Sequence, residues 1–227
     1  VYGDARFFVK RSERRYDVVI VSVPDPTTTQ LNRFYTADFF EEAAGLLGRG
    51  GVLGVTVGSS ENYIGEELAD FLACVRRTLA EVFGEVLAVP GDPCHLIAAG
   101  APTELTRDPD ALADRIAARG LDTAFVREYY LADRLSPARA AALDRALEGR
   151  APPVNSDLRP IATYLSLRLW NREFSSFPGA LDRVRQLLTP GGAAAVAVAI
   201  ALALLLPFPR SRRVRFERNV VAAILVV

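Results

Sequence analysis

Residues 18–23, VVIVSV, form an apolar, β-branched run. Such a run predicts a strand buried on both faces, because a strand between two covering layers has no side left for polar residues. The pattern then changes period. Phe39, Phe40, Ala43, Leu46 and Leu47 recur at helical spacing and predict a helix that Gly50 and Gly51 end. VLGVTVG at 52–58 predicts the next strand. The stretch 65–83, GEELADFLACVRRTLAEVF, puts Leu68, Phe71, Leu72, Val75 and Leu79 on one face of a second helix. EVLAVPG at 85–91 and HLIAAG at 95–100 follow as two short strands with no helix between them, which predicts an antiparallel edge hairpin. Buried strands alternating with helices imply an α/β fold with a mostly parallel sheet covered on both faces.

Beyond Gly100 the pattern becomes helical. The segment 108–120 has Asp108 as a cap and Gly120 as a stop, and 136–149 has Ser136 as N-cap with Pro137 at the first helical position. The stretch 150–160, RAPPVNSDLRP, has the turn residues of a loop, and 161–174 predicts a short amphipathic helix. No internal repeat is present. Residues 186–209 carry no charge, and about 20 apolar residues suffice to cross a bilayer; the alternative is a buried core helix. Arg210, Arg212, Arg213, Arg215 and Arg218 follow, and then a second apolar run opens. The expected organisation is therefore the C-terminal part of an α/β domain over 1–170, a linker over 171–186, and a membrane region over 187–227 with one apolar helix and the start of a second. Basic loops favour the cytoplasmic side. A full crossing would separate that loop from a cytoplasmic domain. A re-entrant segment over 193–206, about 14 residues and short for a crossing, would keep both on the cytoplasmic side.

Lys+Arg and Asp+Glu are balanced at 27 each, so the charge gives no footprint for nucleic acid. Cys74 and Cys94 are too few for a disulfide framework, and the single histidine, His95, has no partner ligands at zinc spacing. No metal is expected. Methionine is absent, the first residues hold no signal peptide, and the last stop inside an apolar run. The expectation is an internal piece of a longer multi-pass membrane protein, one that leaves room for a homo-oligomer.

The candidate chemistry starts at Asp25, which lies between Pro24 and Pro26 just past the first strand. Prolines fix the backbone and constrain the residue before them, so this carboxylate is held. The carboxyl ends of parallel strands are where open α/β sheets bind ligands. The alternative is an aspartate that only caps its turn.

GDARFF at 3–8, YDVVIVSVPDPTTTQLNRFYTADFFEEAAGLLGRGGVLGV at 16–55 and EYYLADRLSPARAAAL at 128–143 together resemble the spermidine synthase (polyamine aminopropyltransferase) family. VNSDLRP at 154–160, followed by apolar segments, is similar to its bacterial membrane-embedded branch. The resemblance extends over residues 1–170 and is most specific in the first 57. It implies a methyltransferase-like Rossmann fold. It also implies transfer of an aminopropyl group from decarboxylated S-adenosylmethionine, a co-substrate, to a small-molecule amine acceptor, with release of methylthioadenosine. By the same resemblance Asp25 is the catalytic aspartate, Asp4 and the Ala5 backbone bind the adenine edge, Gln30 lies at the pocket mouth, and Tyr129 and Tyr130 hold the acceptor. Asp4 and the tyrosines have plainer alternatives: an N-cap for Asp4, which can coexist with adenine binding, and core packing for Tyr129 and Tyr130.

The chemistry is consistent with those residue types. An alkyl amine resembles lysine, with a pKa of about 10.4, so it is mostly protonated near neutrality. A carboxylate within reach can take its proton, and the attacked carbon must be presented in line. Ser22, Val57 and Ser59 depart from the family by replacing polar or acidic residues. Asn155 and Asp157 are candidates for replacement contacts, against the alternative of an ordinary Asx turn. The glycine-rich loop of such folds belongs to a strand–helix–strand unit that these residues do not contain. The rival to the enzyme is a regulatory or binding domain that kept the fold, and a further alternative is another transfer, such as methyl transfer.

Overall fold

The computed structural model describes residues 3–61, 63–100 and 103–174. The apolar run 186–209, the arginine cluster and the expected membrane region lie outside the described residues. Among the described residues no helix is long and apolar enough to cross a membrane.

The chain opens with helix α1 (Ala5–Arg11), strand β1 (Tyr16–Val21), the short helix α2 (Thr29–Asn32) and helix α3 (Ala37–Ala44). Strand β2 (Leu47–Val57) follows, then the long helix α4 (Glu66–Phe83) and the strands β3 (Glu85–Val89) and β4 (Cys94–Ala99). Four more helices follow among the described residues: α5 (Pro109–Ala118), α6 (Glu128–Arg134), α7 (Pro137–Leu147) and α8 (Ile161–Phe174). The strands form one sheet in the order β1-β2-β4-β3. β1 and β2 are parallel, while β4 is antiparallel to both β2 and β3. The expected hairpin is present, but the described sheet is mixed and not mostly parallel, because the return strand β4 inserts beside β2.

The α/β core lies between one sheet face and the helices. Val21, Leu53, Val55, Val57, Leu96 and Ala98 alternate along their strands and meet Phe39 and Phe40 of α3 with Phe71, Leu72, Val75 and Leu79 of α4. Burying each large side chain of that kind stabilises the fold by about 1.5–3 kcal/mol. The expected burial of β1 on both faces is corrected: Val18 and Ile20 are 58% and 70% exposed, whereas Val21 is buried.

The boundary between α3 and β2 also differs from the expectation. α3 stops at Ala44 with Gly45 as its C-cap, so Leu46 and Leu47 leave the helix and Gly50 and Gly51 lie inside β2. The pairing passes from Tyr16↔Leu47 to Val18↔Val52, so β2 carries extra residues as a bulge. Gly50 adopts φ +77° there, a conformation that favours glycine. The glycine pair therefore kinks a strand and does not end a helix.

Candidate functional site

β1 and β2 are parallel, and the segments that leave their carboxyl ends are neighbours, with Val21 paired to Val55. Asp25 follows β1 and Gly58 follows β2. The antiparallel β4 starts opposite Val57 at Cys94, so the β3–β4 turn, with Asp92, reaches the same edge. Three connections thus converge on the carboxyl end of the parallel pair, the position at which open α/β sheets bind ligands.

They enclose a cavity of about 550 Å³. Its lining includes Asp25, Gly58 and Ser59 from the first two connections, Asp92 from the third, Glu67 from the first turn of α4, and Leu169 from α8. Asp25 is half-buried. Its Oδ1 accepts the Gly58 N–H at 2.9 Å, and its backbone carbonyl accepts the Thr27 N–H at 2.7 Å. Gly58 is needed for a second reason: a Cβ there would come within 2.4 Å of Asp25 Oδ2. The carboxylate lies against a backbone that only glycine leaves open.

Burial raises the Asp25 pKa, the Gly58 N–H opposes that rise, and the charge of Asp92 adds to it. No cation lines the cavity among the described residues. Glu67 faces Arg168 of α8 at 3.9 Å and is paired; Asp25 and Asp92 are the lining carboxylates suited to an ammonium-bearing ligand, and a raised pKa makes Asp25 a better proton acceptor than an ordinary aspartate.

The other expected site residues lie elsewhere. Asp4 is the N-cap of α1, its Oδ1 accepting the Phe7 N–H at 3.0 Å. Its Oδ2 pairs with Arg33. The Arg33 hydrogen bond, followed by the Phe7 N–H, holds its pKa below the usual carboxylate value. Ala5 opens the same helix. Gln30 is exposed on α2. Tyr129 and Tyr130, on α6, have ring centroids 4.5 Å apart and are 67% and 51% exposed, so they are not core residues. None of these side chains lines the cavity around Asp25.

Of the departures, Val57 is buried in the core, Ser22 is exposed, and Ser59 lines the cavity. Asn155 and Asp157 serve a different purpose from ligand contact. Asn155 is fully buried, donates from Nδ2 to Asn32 Oδ1 at 3.0 Å and to the Tyr35 carbonyl at 2.8 Å, and accepts the Ala162 N–H. Asp157 binds Arg6 through both oxygens. The loop joins α1, α2, α3 and α8. His95 Nδ1 lies 3.2 Å from Thr56 Oγ1. Burial pushes the Cys94 thiol up to about 12, which keeps it protonated and unreactive. Among the described residues no group of three His, Cys, Asp or Glu could hold a metal ion.

Gly58, Asp92 and Glu67 were not anticipated from the sequence. The available signal was positional: Gly58 follows the second parallel strand, as Asp25 follows the first.

No family model matches the chain. Among solved structures, a spermidine synthase from Thermotoga maritima aligns with a TM-score of 0.45 and 16% identity, covering 65% of this chain and 48% of that one. A probable spermidine synthase from Corynebacterium glutamicum aligns with a TM-score of 0.35 and 17% identity, covering 68% and 53%. The chain spans about half the length of these two proteins.

Proposed function

We propose that the cavity at Asp25 is the acceptor side of an aminopropyl-transfer site. The observation that carries this reading is a glycine-seated, half-buried carboxylate with a raised pKa, sharing its cavity with Asp92 at the carboxyl end of the parallel strands. The motif around Asp25, which resembles that of aminopropyltransferases, supports the choice of reaction. Asp25 accepts a proton from the bound ammonium and leaves a neutral amine. The nitrogen lone pair attacks the aminopropyl carbon next to the donor's sulfonium. The N–C bond forms, the C–S bond breaks, and the sulfur departs with the bonding pair as the neutral thioether methylthioadenosine. Decarboxylated S-adenosylmethionine is the co-substrate in this reading. Asp4 remains a candidate for its adenine edge, since a carboxylate oxygen that already accepts one hydrogen bond has capacity for another.

The test is Asp25→Asn in the full-length protein. The amide keeps an oxygen for the Gly58 N–H but cannot take the amine's proton, so turnover should fall at least ~100-fold with donor binding retained. Turnover within twofold of wild type would sink the assignment.

A second reading has its own support: Tyr129, Tyr130 and Gln30 lie off the cavity and Ser22 and Val57 replace polar or acidic residues, which favours an amine-binding regulatory domain without transfer. Full-length protein that binds a diamine by calorimetry but forms no methylthioadenosine would decide for it. In either reading the apolar run 186–209 is proposed to attach the chain to a lipid bilayer, with the α/β domain on the cytoplasmic side. Labelling of Ser176→Cys and Ser211→Cys from opposite sides of the membrane would favour a full crossing over a re-entrant segment.

A further inference from the structure

We propose that Tyr35 is a positioning residue for Asp25, a role that rests on the transfer reading above. Tyr35 lies between α2 and α3 and is fully buried. Its hydroxyl donates to the Val23 carbonyl at 2.9 Å, with the Pro24 carbonyl at 3.2 Å and the Thr56 carbonyl at 3.4 Å on the same oxygen. Val23 and Pro24 are the two residues before Asp25, and Thr56 is two residues before Gly58. One hydroxyl therefore stands at the junction of the two segments that meet in the Asp25–Gly58 hydrogen bond.

The Asp25 segment has few donors with which to tie itself down. Pro24 and Pro26 have no N–H to donate, so this stretch is tied down through its carbonyls, and Tyr35 supplies a donor to them. The tyrosine is itself anchored. Its carbonyl accepts Asn155 Nδ2 at 2.8 Å, and its N–H donates to the Asn32 carbonyl at 2.8 Å. Burial, with the Asp25 charge adding to it, pushes its pKa well above the usual tyrosine value, so the hydroxyl keeps its proton and donates throughout the working pH range. Tyr35 is not part of the cavity lining. It touches no substrate there and acts through the loop that carries Asp25.

The buried ring explains why an aromatic residue sits here, but a phenylalanine would fill the core equally well. The hydroxyl is what the loop uses. Removing it leaves the ring packed and releases the Val23 and Pro24 carbonyls, so the Asp25 carboxylate becomes less fixed relative to Gly58 and more open to water. A better-solvated carboxylate has a lower pKa and is a weaker base.

The experiment is Tyr35→Phe in the full-length protein, compared with Leu79→Ala. The latter truncates a fully buried α4 side chain and provides a core destabilisation elsewhere. Tyr35→Phe is expected to lower kcat about 10-fold, the effect of a displaced catalytic group, with the KM for the amine within twofold. The acid limb of the pH–rate profile should move to lower pH, and the Gly58 amide should exchange its hydrogen faster than stability loss alone explains. Leu79→Ala should change none of these at a temperature where it is folded. A kcat within twofold of wild type together with an unmoved acid limb in Tyr35→Phe would overturn the proposal. If the wild-type protein forms no methylthioadenosine, the transfer reading fails separately, and Tyr35 is then judged by the Asp25 carboxyl titration and Gly58 exchange. A downward Asp25 shift with faster Gly58 exchange supports the positioning role, and no change in both overturns it.

Discussion

Asp25 lies between two prolines and Asp157 follows the Pro152–Pro153 pair, and both are candidates for contact chemistry in the sequence, yet the fold treats them in opposite ways. Asp157 accepts Arg6 Nη1 at 2.9 Å, Arg6 Nη2 at 2.8 Å and the Thr36 hydroxyl at 2.9 Å. The Arg6 hydrogen bonds hold its pKa below the usual value, burial opposes that, and Thr36 adds to it. Arg6 is equally committed: it also binds both oxygens of Glu42 and the Arg33 carbonyl, which occupies all five guanidinium donors. Asp25 receives one backbone N–H, faces a second carboxylate, and has a raised pKa. A saturated carboxylate holds structure together. One that is held in place but left short of partners retains its basicity, and that is what proton transfer requires.

The largest expected effect that would break this contrast is at the saturated site. Arg6→Ala strips Glu42 and Asp157 of their shared cation. Breaking a buried pair in this way costs about 3–5 kcal/mol, and the lower end applies because the Asp157 side chain is 37% exposed and screened by water. Urea denaturation should show a loss of about 3 kcal/mol, with turnover per folded molecule unchanged. A loss under about 1 kcal/mol would mean that the clasp is a surface ion pair.

Next comes Gly58→Ala, which tests the other member of the comparison. The new methyl group would meet Asp25 Oδ2 at 2.4 Å, so the carboxylate has to move by about an ångström. Displacements of that size cost up to ~100-fold in rate, so kcat should fall about 10- to 100-fold, a barrier increase of about 1.4–2.7 kcal/mol, with the fold intact. An unchanged kcat would show that the position of Asp25 is unimportant to the reaction.

Much of this was legible in the chain, and the failures have a common origin. α4 was readable because its apolar stripe persists over several turns, and α5 because Asp108 accepts the Asp110 N–H and Gly120 adopts φ +59°. The β3–β4 hairpin followed from two strands with no helix between them. The end of α3 was not readable, since Leu46 and Leu47 extend its stripe while also suiting the strand that begins at Leu47. Ser136 occupies the expected N-cap position of α7 without making the cap hydrogen bond. Within the site, Asp25 was marked by its flanking prolines. Gly58 and Tyr35 were not, because each matters through proximity to a segment distant in the chain, and neither periodicity nor local motif encodes that.

The smallest expected effect is a sign, and it sharpens the comparison most directly. Asp157 has a lowered pKa in the fold, so its contribution to stability is present above the unfolded value of about 3.9 and is lost as pH falls through the folded value. Asp25 has a raised pKa, so its contribution is present below about 3.9 and is lost as pH rises through the folded value. At pH 7 the Asp157 charge therefore stabilises the fold and the Asp25 charge opposes it. Urea midpoints should follow: Asp157→Asn less stable than wild type at pH 7, with the gap closing in acid, and Asp25→Asn more stable than wild type at pH 7, with its gap closing below pH ~4. The asparagine at position 25 keeps an oxygen for the Gly58 N–H, so the comparison isolates the charge. An Asp25→Asn protein less stable than wild type at pH 7 and equal to it in acid would mean that the Asp25 charge is paired in the fold. The two aspartates would then be structural residues of the same kind, and the case for Asp25 as a base would lose its physical ground.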